Sequence, residues 1–279
     1  MGSRVFRFSL FPTATAVVAV LLWAQPASST HNTGALYPDL KTLEPVSFSI
    51  TVSSGEQRLT MGLEAVDADT GPLELWQTNT KCDPPGPDAE GRIAKQRIYN
   101  DGNSDEGFTR NVDTGFTERE AGCMRFHRPH HHRHFGDFYS LELKDLGGNL
   151  VTNGVKETFC IADVNDRSSL FSWTVPFAPE TKYYTSCTKR NSPQGLSVGW
   201  GDLYPNGTSG QYIVVNAVPN GTYCFWATAD PLDKIWESVD GAGTQDEPAD
   251  NTNDAKIEIG TNPATENRTV SYLGPSCSS

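Results

Sequence analysis

The chain has 279 residues, 22 of them basic and 34 acidic, for a formal net charge of −12; that length suffices for one sizeable domain or two small ones. Such a chain is a poor partner for nucleic acid or an anionic membrane surface and an attractive one for a cationic amine or a lysine-rich protein, although the same charge also serves solubility alone. With 25 Gly and 18 Pro and no long apolar run at helical spacing, the composition favours short strands joined by many turns.

The first residues read as a secretory signal. Arg4 and Arg7 precede an apolar run from Ala14 to Ala24, and small residues follow at Ala27, Ser28 and Ser29. The run is too short to span a bilayer, which favours a cleaved leader over a membrane anchor. Residues 1–29 are therefore expected to be removed, leaving 30–279 as one secreted, extracellular domain. The loss of two arginines and no acid moves the net charge from −12 to about −14. The ending Gly-Pro-Ser-Cys-Ser-Ser has no apolar tail, so no lipid anchor is expected.

Strand signals then follow in order. Val46, Phe48, Ile50 and Val52 alternate, as do Leu59, Met61, Leu63 and Ala65, which predicts half-buried strands. Further short strands are predicted at Leu73 to Trp76, Phe138 to Leu143, Gln211 to Val218, Thr222 to Ala227 and Lys256 to Ile259. Two segments read as irregular: Cys82 to Gly122, rich in Asp, Gly, Asn and Arg, and the strongly acidic Asp240 to Asp254. Loops of such length are uncommon inside a domain and tend to be functional or disordered. The fold class expected is all-β, an antiparallel β-sandwich with long irregular loops.

Six cysteines, Cys82, Cys123, Cys160, Cys187, Cys224 and Cys277, make three disulfides the simplest outcome in an exported chain, with about 15 connectivities open. Sequons at Asn206, Asn220 and Asn267 fit a glycosylating secretory route.

Five of the six histidines fall within eight residues, His127-Arg-Pro-His130-His131-His132-Arg-His134. On an extended segment alternate residues share a face, so His130, His132 and His134 would converge, with His131 pointing away and His127 in support. Three imidazoles suit Cu(II), Zn(II) or Ni(II), and affinity alone favours copper. A solvated His-rich tract is the plainer alternative, but Phe126, Phe135 and Phe138 flank the cluster.

From this point the sequence resembles the lysyl oxidase family. The histidines match its copper motif His-x-x-His-x-His-x-His, followed by the acidic-aromatic stretch Asp137 to Leu143. Gly154-Val155-Lys156-Glu157-Thr158-Phe159-Cys160 matches its Gly-x-Lys-x-x-Phe-Cys element, and Cys187-Thr188 with Gln194 to Tyr204 resembles the segment that ends in its cofactor tyrosine. The resemblance runs from about Leu36 to Ile259; departures are fewer cysteines than in animal members and Phe126 in place of a tryptophan. It implies copper on His130, His132 and His134, and a lysine tyrosylquinone formed from Lys156 and Tyr204. It further implies oxidative deamination of peptidyl lysine or other primary amines by O2, releasing aldehyde, ammonia and hydrogen peroxide. Asp137 and Asp202 are candidates for the base. Cys160 and Cys187 are expected to pair, stabilising the fold by roughly 3 kcal/mol on the chain-entropy model. A calcium site is also implied, formed by Asp39, the Leu40 carbonyl, Glu237, Asp250, Asn253 and Asp254; a disordered acidic loop is the plainer alternative. A secreted copper-binding protein without turnover would not need Lys156 and Tyr204, and no motif supports a zinc hydrolase.

Overall fold

The computed structural model describes residues 34–82, 90–128, 131–154, 158–171, 182–189, 191–237 and 251–277; residues 1–29, expected to form a leader, lie outside them. Alternating apolar side chains, punctuated by Gly, Asn and Asp, fold as strands along the chain. The first are β1 (Ala35–Leu36), β2 (Leu40–Thr42), β3 (Val46–Ser53), β4 (Glu56–Asp67), β5 (Leu73–Cys82), β6 (Gly91–Asn100) and β7 (Phe116–His127). Then come β8 (His132–Gly136), β9 (Tyr139–Lys144), β10 (Leu150–Asn153), β11 (Thr158–Phe159) and β12 (Asn165–Asp166). After a short 3-10 turn (Ser168–Phe171) follow β13 (Gln194–Leu196), β14 (Trp200–Tyr204), β15 (Tyr212–Val214), β16 (Gly221–Ala229), β17 (Thr252–Thr261) and β18 (Arg268–Gly274). Among the described residues no helix is long and apolar enough to cross a membrane.

The fold is all-β and antiparallel, as expected, with the strands apportioned among three sheets. The first runs β11-β8-β7-β6-β5-β13 with β1 beside β6, the second β10-β9-β16-β17-β18, and the third β12-β14-β4-β15 with β2 and β3 also on β4. One continuous core joins them, drawing Leu63 and Met61 from β4, Phe135 from β8, Phe225 from β16 and Ile257 from β17. The disulfides are Cys82–Cys123, Cys160–Cys187 and Cys224–Cys277, the second being the pair expected from the sequence.

Three expectations need correction. The segment Cys82 to Gly122, read as irregular, contains all of β6 and half of β7, paired from Gly91↔Arg125 to Tyr99↔Phe116. The alternation there was hidden because one inward residue is polar: Gln96 is fully buried, its amide donating to the Trp236 carbonyl at 2.7 Å and accepting from the Trp236 N–H at 2.8 Å. Buried amides survive when both ends are bonded in this way. The strand β4, expected to be half-buried, is covered on both faces from Leu59 onward. Its polar face is satisfied, since Arg167 grips Glu64 with two bonds of 2.7 and 2.6 Å. The strand predicted from Gln211 to Val218 is confined to Tyr212–Val214.

Candidate functional site

The histidines lie on the β7–β8 hairpin. Met124↔Phe135 to His127↔His132 are its paired residues, and directly opposed residues share a face. His132 and His134, two apart on β8, share that face too. Their Nε2 atoms approach to 2.9 Å, and the His127 ring stacks on His134 with centroids 4.6 Å apart. His134 is only 3% exposed, and its Nδ1 lies 3.2 Å from the Thr158 hydroxyl. That contact engages Nδ1, and Nε2 is the nitrogen that faces His132. Two imidazole nitrogens bound to one ion at roughly 2.0 Å each lie about this far apart when cis to one another, so the donor pair fits a nitrogen-ligated transition metal. The strand starts at His132, later than the extended segment expected from His130. His131 occupies the turn with φ +55°, and His130 lies outside the described residues.

Tyr204 ends β14, opposite Leu63 of β4. Its half-buried ring meets Phe159 edge-on with centroids 4.4 Å apart. Its hydroxyl contacts both the Asp202 carboxyl and the Cys160 carbonyl. Burial, then the neighbouring Asp202, pushes the phenol well above its ordinary value. Burial likewise pushes the Asp202 carboxyl up, with Asp163 and Glu64 adding to the rise against bonds from Tyr204 and the Ala162 N–H.

Three consecutive residues join these two places. Thr158 bonds His134, Phe159 packs on Tyr204, and the Cys160 carbonyl meets the Tyr204 hydroxyl. Strand β11 holds them beside β8 through the pairs Thr158↔Gly136 and Phe159↔Phe135, and the Cys160–Cys187 disulfide fixes the far end. Lys156 stands two positions before Thr158 in the sequence and lies outside the described residues. Of the candidate bases, Asp137 is engaged by the Lys234 ammonium, whereas Asp202 is directly on Tyr204.

The candidate calcium ligands are partly gathered. Glu237 accepts the Leu40 N–H at 2.6 Å and the Asn251 amide at 2.8 Å. Burial raises its carboxyl well above the usual range, with the nearby Asp230 and Asp39 adding to the rise. The Asp39 carboxylate pairs with Lys41 at 3.3 Å. Asn253 and Asp254 fall on β17, whose successive side chains point to opposite faces. The Asn253 amide donates to the Thr42 carbonyl and the Asp254 carboxylate accepts the Cys277 N–H. Asp250 lies outside the described residues.

Sequence reasoning passed over Thr158 and the Cys160 carbonyl. The signal available was their place in the Gly-x-Lys-x-x-Phe-Cys element, but what they touch depends on strand pairing. The lysyl oxidase family model matches residues 108–242, a span that takes in the histidine hairpin, Lys156 and Tyr204. Over 114 residues, 40% of this chain, the sequence is 27% identical to lysyl oxidase homolog 4 of Mus musculus, and the match spans 14% of that protein.

Proposed function

This chain belongs to the lysyl oxidase family, and on that premise we propose that it is a secreted copper amine oxidase acting on peptidyl lysine or other primary amines. The observation that carries the reading is the Thr158 to Cys160 segment, which touches an imidazole of the histidine face and the ring of Tyr204 at once. Copper on His130, His132 and His134 and a lysine tyrosylquinone from Lys156 and Tyr204 would supply a carbonyl for the amine and an electron sink that O2 reoxidises, with aldehyde, ammonia and hydrogen peroxide as products.

The chain's own residues set the stage for that chemistry. Thr158 fixes the orientation of His134, and His127 backs it by stacking. Phe159, Tyr139 and Phe138, all buried, form an edge-to-face aromatic wall that keeps water from one side of Tyr204. The net charge of −12 favours approach of a cationic amine. Three disulfides suit an oxidising, extracellular setting, and calcium at Glu237 belongs to the same proposal.

The test is amine-dependent peroxide release from copper-loaded protein, with Lys156→Met and Tyr204→Phe as controls. Each substitution is expected to abolish turnover while copper stays bound, and a digest of matured protein should contain the Lys156 and Tyr204 peptides covalently joined. Separate, unmodified peptides in protein that oxidises amines would refute the cofactor; the same finding in inactive protein would point to copper binding without turnover.

A further inference from the structure

We propose that Asp202 is a positioning residue for Tyr204, a neutral carboxylic acid that donates its proton to the Tyr204 oxygen. Only what Tyr204 becomes rests on the function proposed above; the proton assignment stands on the geometry of the chain.

Asp202 and Tyr204 are two apart on β14 and so share a face. The Tyr204 oxygen lies against two others, a carboxyl oxygen of Asp202 and the Cys160 carbonyl. A backbone carbonyl can only accept, and a phenol has one proton to give. Were Asp202 ionised, one of the two contacts would set lone pair against lone pair. A second proton on Asp202 resolves this: the carboxylic acid donates to the phenol oxygen, and the phenol donates to the Cys160 carbonyl.

The surroundings agree. Asp202 is 2% exposed, and its one further partner is the Ala162 N–H at 3.2 Å. Among the described residues no basic side chain pairs with it. Among the described residues, the titratable groups that face it are acids or phenols: Asp163 from the loop after β11, Tyr139 from β9, Tyr204 beside it, and Glu64 from β4. Glu64 already holds the guanidinium of Arg167. A buried carboxylate without a cation is costly, and neutralisation is the ordinary way out.

A protonated carboxyl in an apolar site is a good donor to an oxygen that gains negative or carbonyl character. Asp202 would therefore keep a donor on the Tyr204 oxygen both as a phenol and as the oxidised ring, whereas the bond to the Cys160 carbonyl belongs to the phenol alone.

Infrared difference spectroscopy on copper-free protein, wild type minus Asp202→Asn, tests the assignment. The expected result at neutral pH is the carbonyl stretch of a neutral carboxylic acid, sensitive to deuteration and displaced by Tyr204→Phe, a response that a merely structural carboxylate would not give. A difference spectrum showing only an ionised carboxylate overturns the proposal. The positioning role is read separately, by mass spectrometry of the joined Lys156 and Tyr204 peptides after copper and air. Asp202→Asn keeps a donor and should yield at least about tenfold more joined peptide than Asp202→Ala, the worth of roughly one hydrogen bond; equal yields overturn that role. Wild-type protein that never joins the peptides would refute the cofactor of the preceding section while the infrared band still decides the state of Asp202.

Discussion

The histidine hairpin and the Tyr204 pocket are built in opposite ways. The imidazoles that meet come from eight consecutive residues, His127 to His134, folded on a tight two-strand turn. The groups on Tyr204 come from three separated places, Phe159 and Cys160, Asp202, and Leu63 across the sheet. A local site of the first kind needs one hairpin register to be right. A site of the second kind needs two sheets to pack, so it should respond much more steeply to damage in the core. The join between them is the short β11, which makes its residues the place where the contrast can be broken.

The largest effect is expected from Phe159→Ala. Its ring is fully buried and touches Tyr139, Phe138 and Tyr204, so urea unfolding should show a loss of about 3–5 kcal/mol. Residual native protein should keep its histidine–copper affinity and lose Tyr204 conversion; equal loss of both would show that the two places are one unit.

Next comes replacement of Cys160 and Cys187 by Ser together. The bond closes a separation of 27 residues, and losing it should cost about 3–4 kcal/mol on the chain-entropy model. Denaturation of the double variant beside the wild type measures this, and a change below about 1 kcal/mol would contradict that model.

The pH dependence of stability sharpens the hairpin side. Asp230 donates its N–H to the Phe138 carbonyl at 2.8 Å, just beyond β8, and burial pushes its carboxyl from 3.8 up to about 6, against bonds from the Ile235 and Lys234 N–H groups. A raised folded value means that the contribution is present below about pH 4 and lost as pH climbs through about 6. Moving from pH 4 to pH 7 should therefore remove about 2 kcal/mol from the wild type relative to Asp230→Asn. Unfolding curves of the two proteins at both pH values check this, and parallel curves would contradict it.

The smallest effect is expected from Thr158→Val, which removes the hydroxyl 3.2 Å from His134 Nδ1 while keeping the side chain's shape. Copper affinity by competition titration should fall by about 10–100-fold, the range for loss of a group that orients a ligand, and the unfolding midpoint should hardly move.

Much of this was legible in the chain. Alternation with period two marked β3, β4, β9, β16 and β17, because a half-buried strand imposes it residue by residue. The same rule put His132 and His134 on one face. It failed where an inward residue was polar, as at Gln96 in β6, since an amide bonded at both ends looks in sequence like a loop residue. It also placed Asn253 and Asp254 in an acidic loop, whereas pairing of β17 with β16 sets them on opposite faces.

What the sequence by itself determined is what neighbours along the chain can determine: the all-β class, the shared face of His132 and His134 and the resemblance that names Lys156 and Tyr204. Only the tertiary structure decided what surrounds Tyr204, and with it the proton of Asp202. The reason is physical. Strand periodicity is a property of successive residues, but the meeting of Asp202, Cys160 and Phe159 on one phenol depends on sheets that close around a common core, and burial acquires its electrostatic consequences only after that closure.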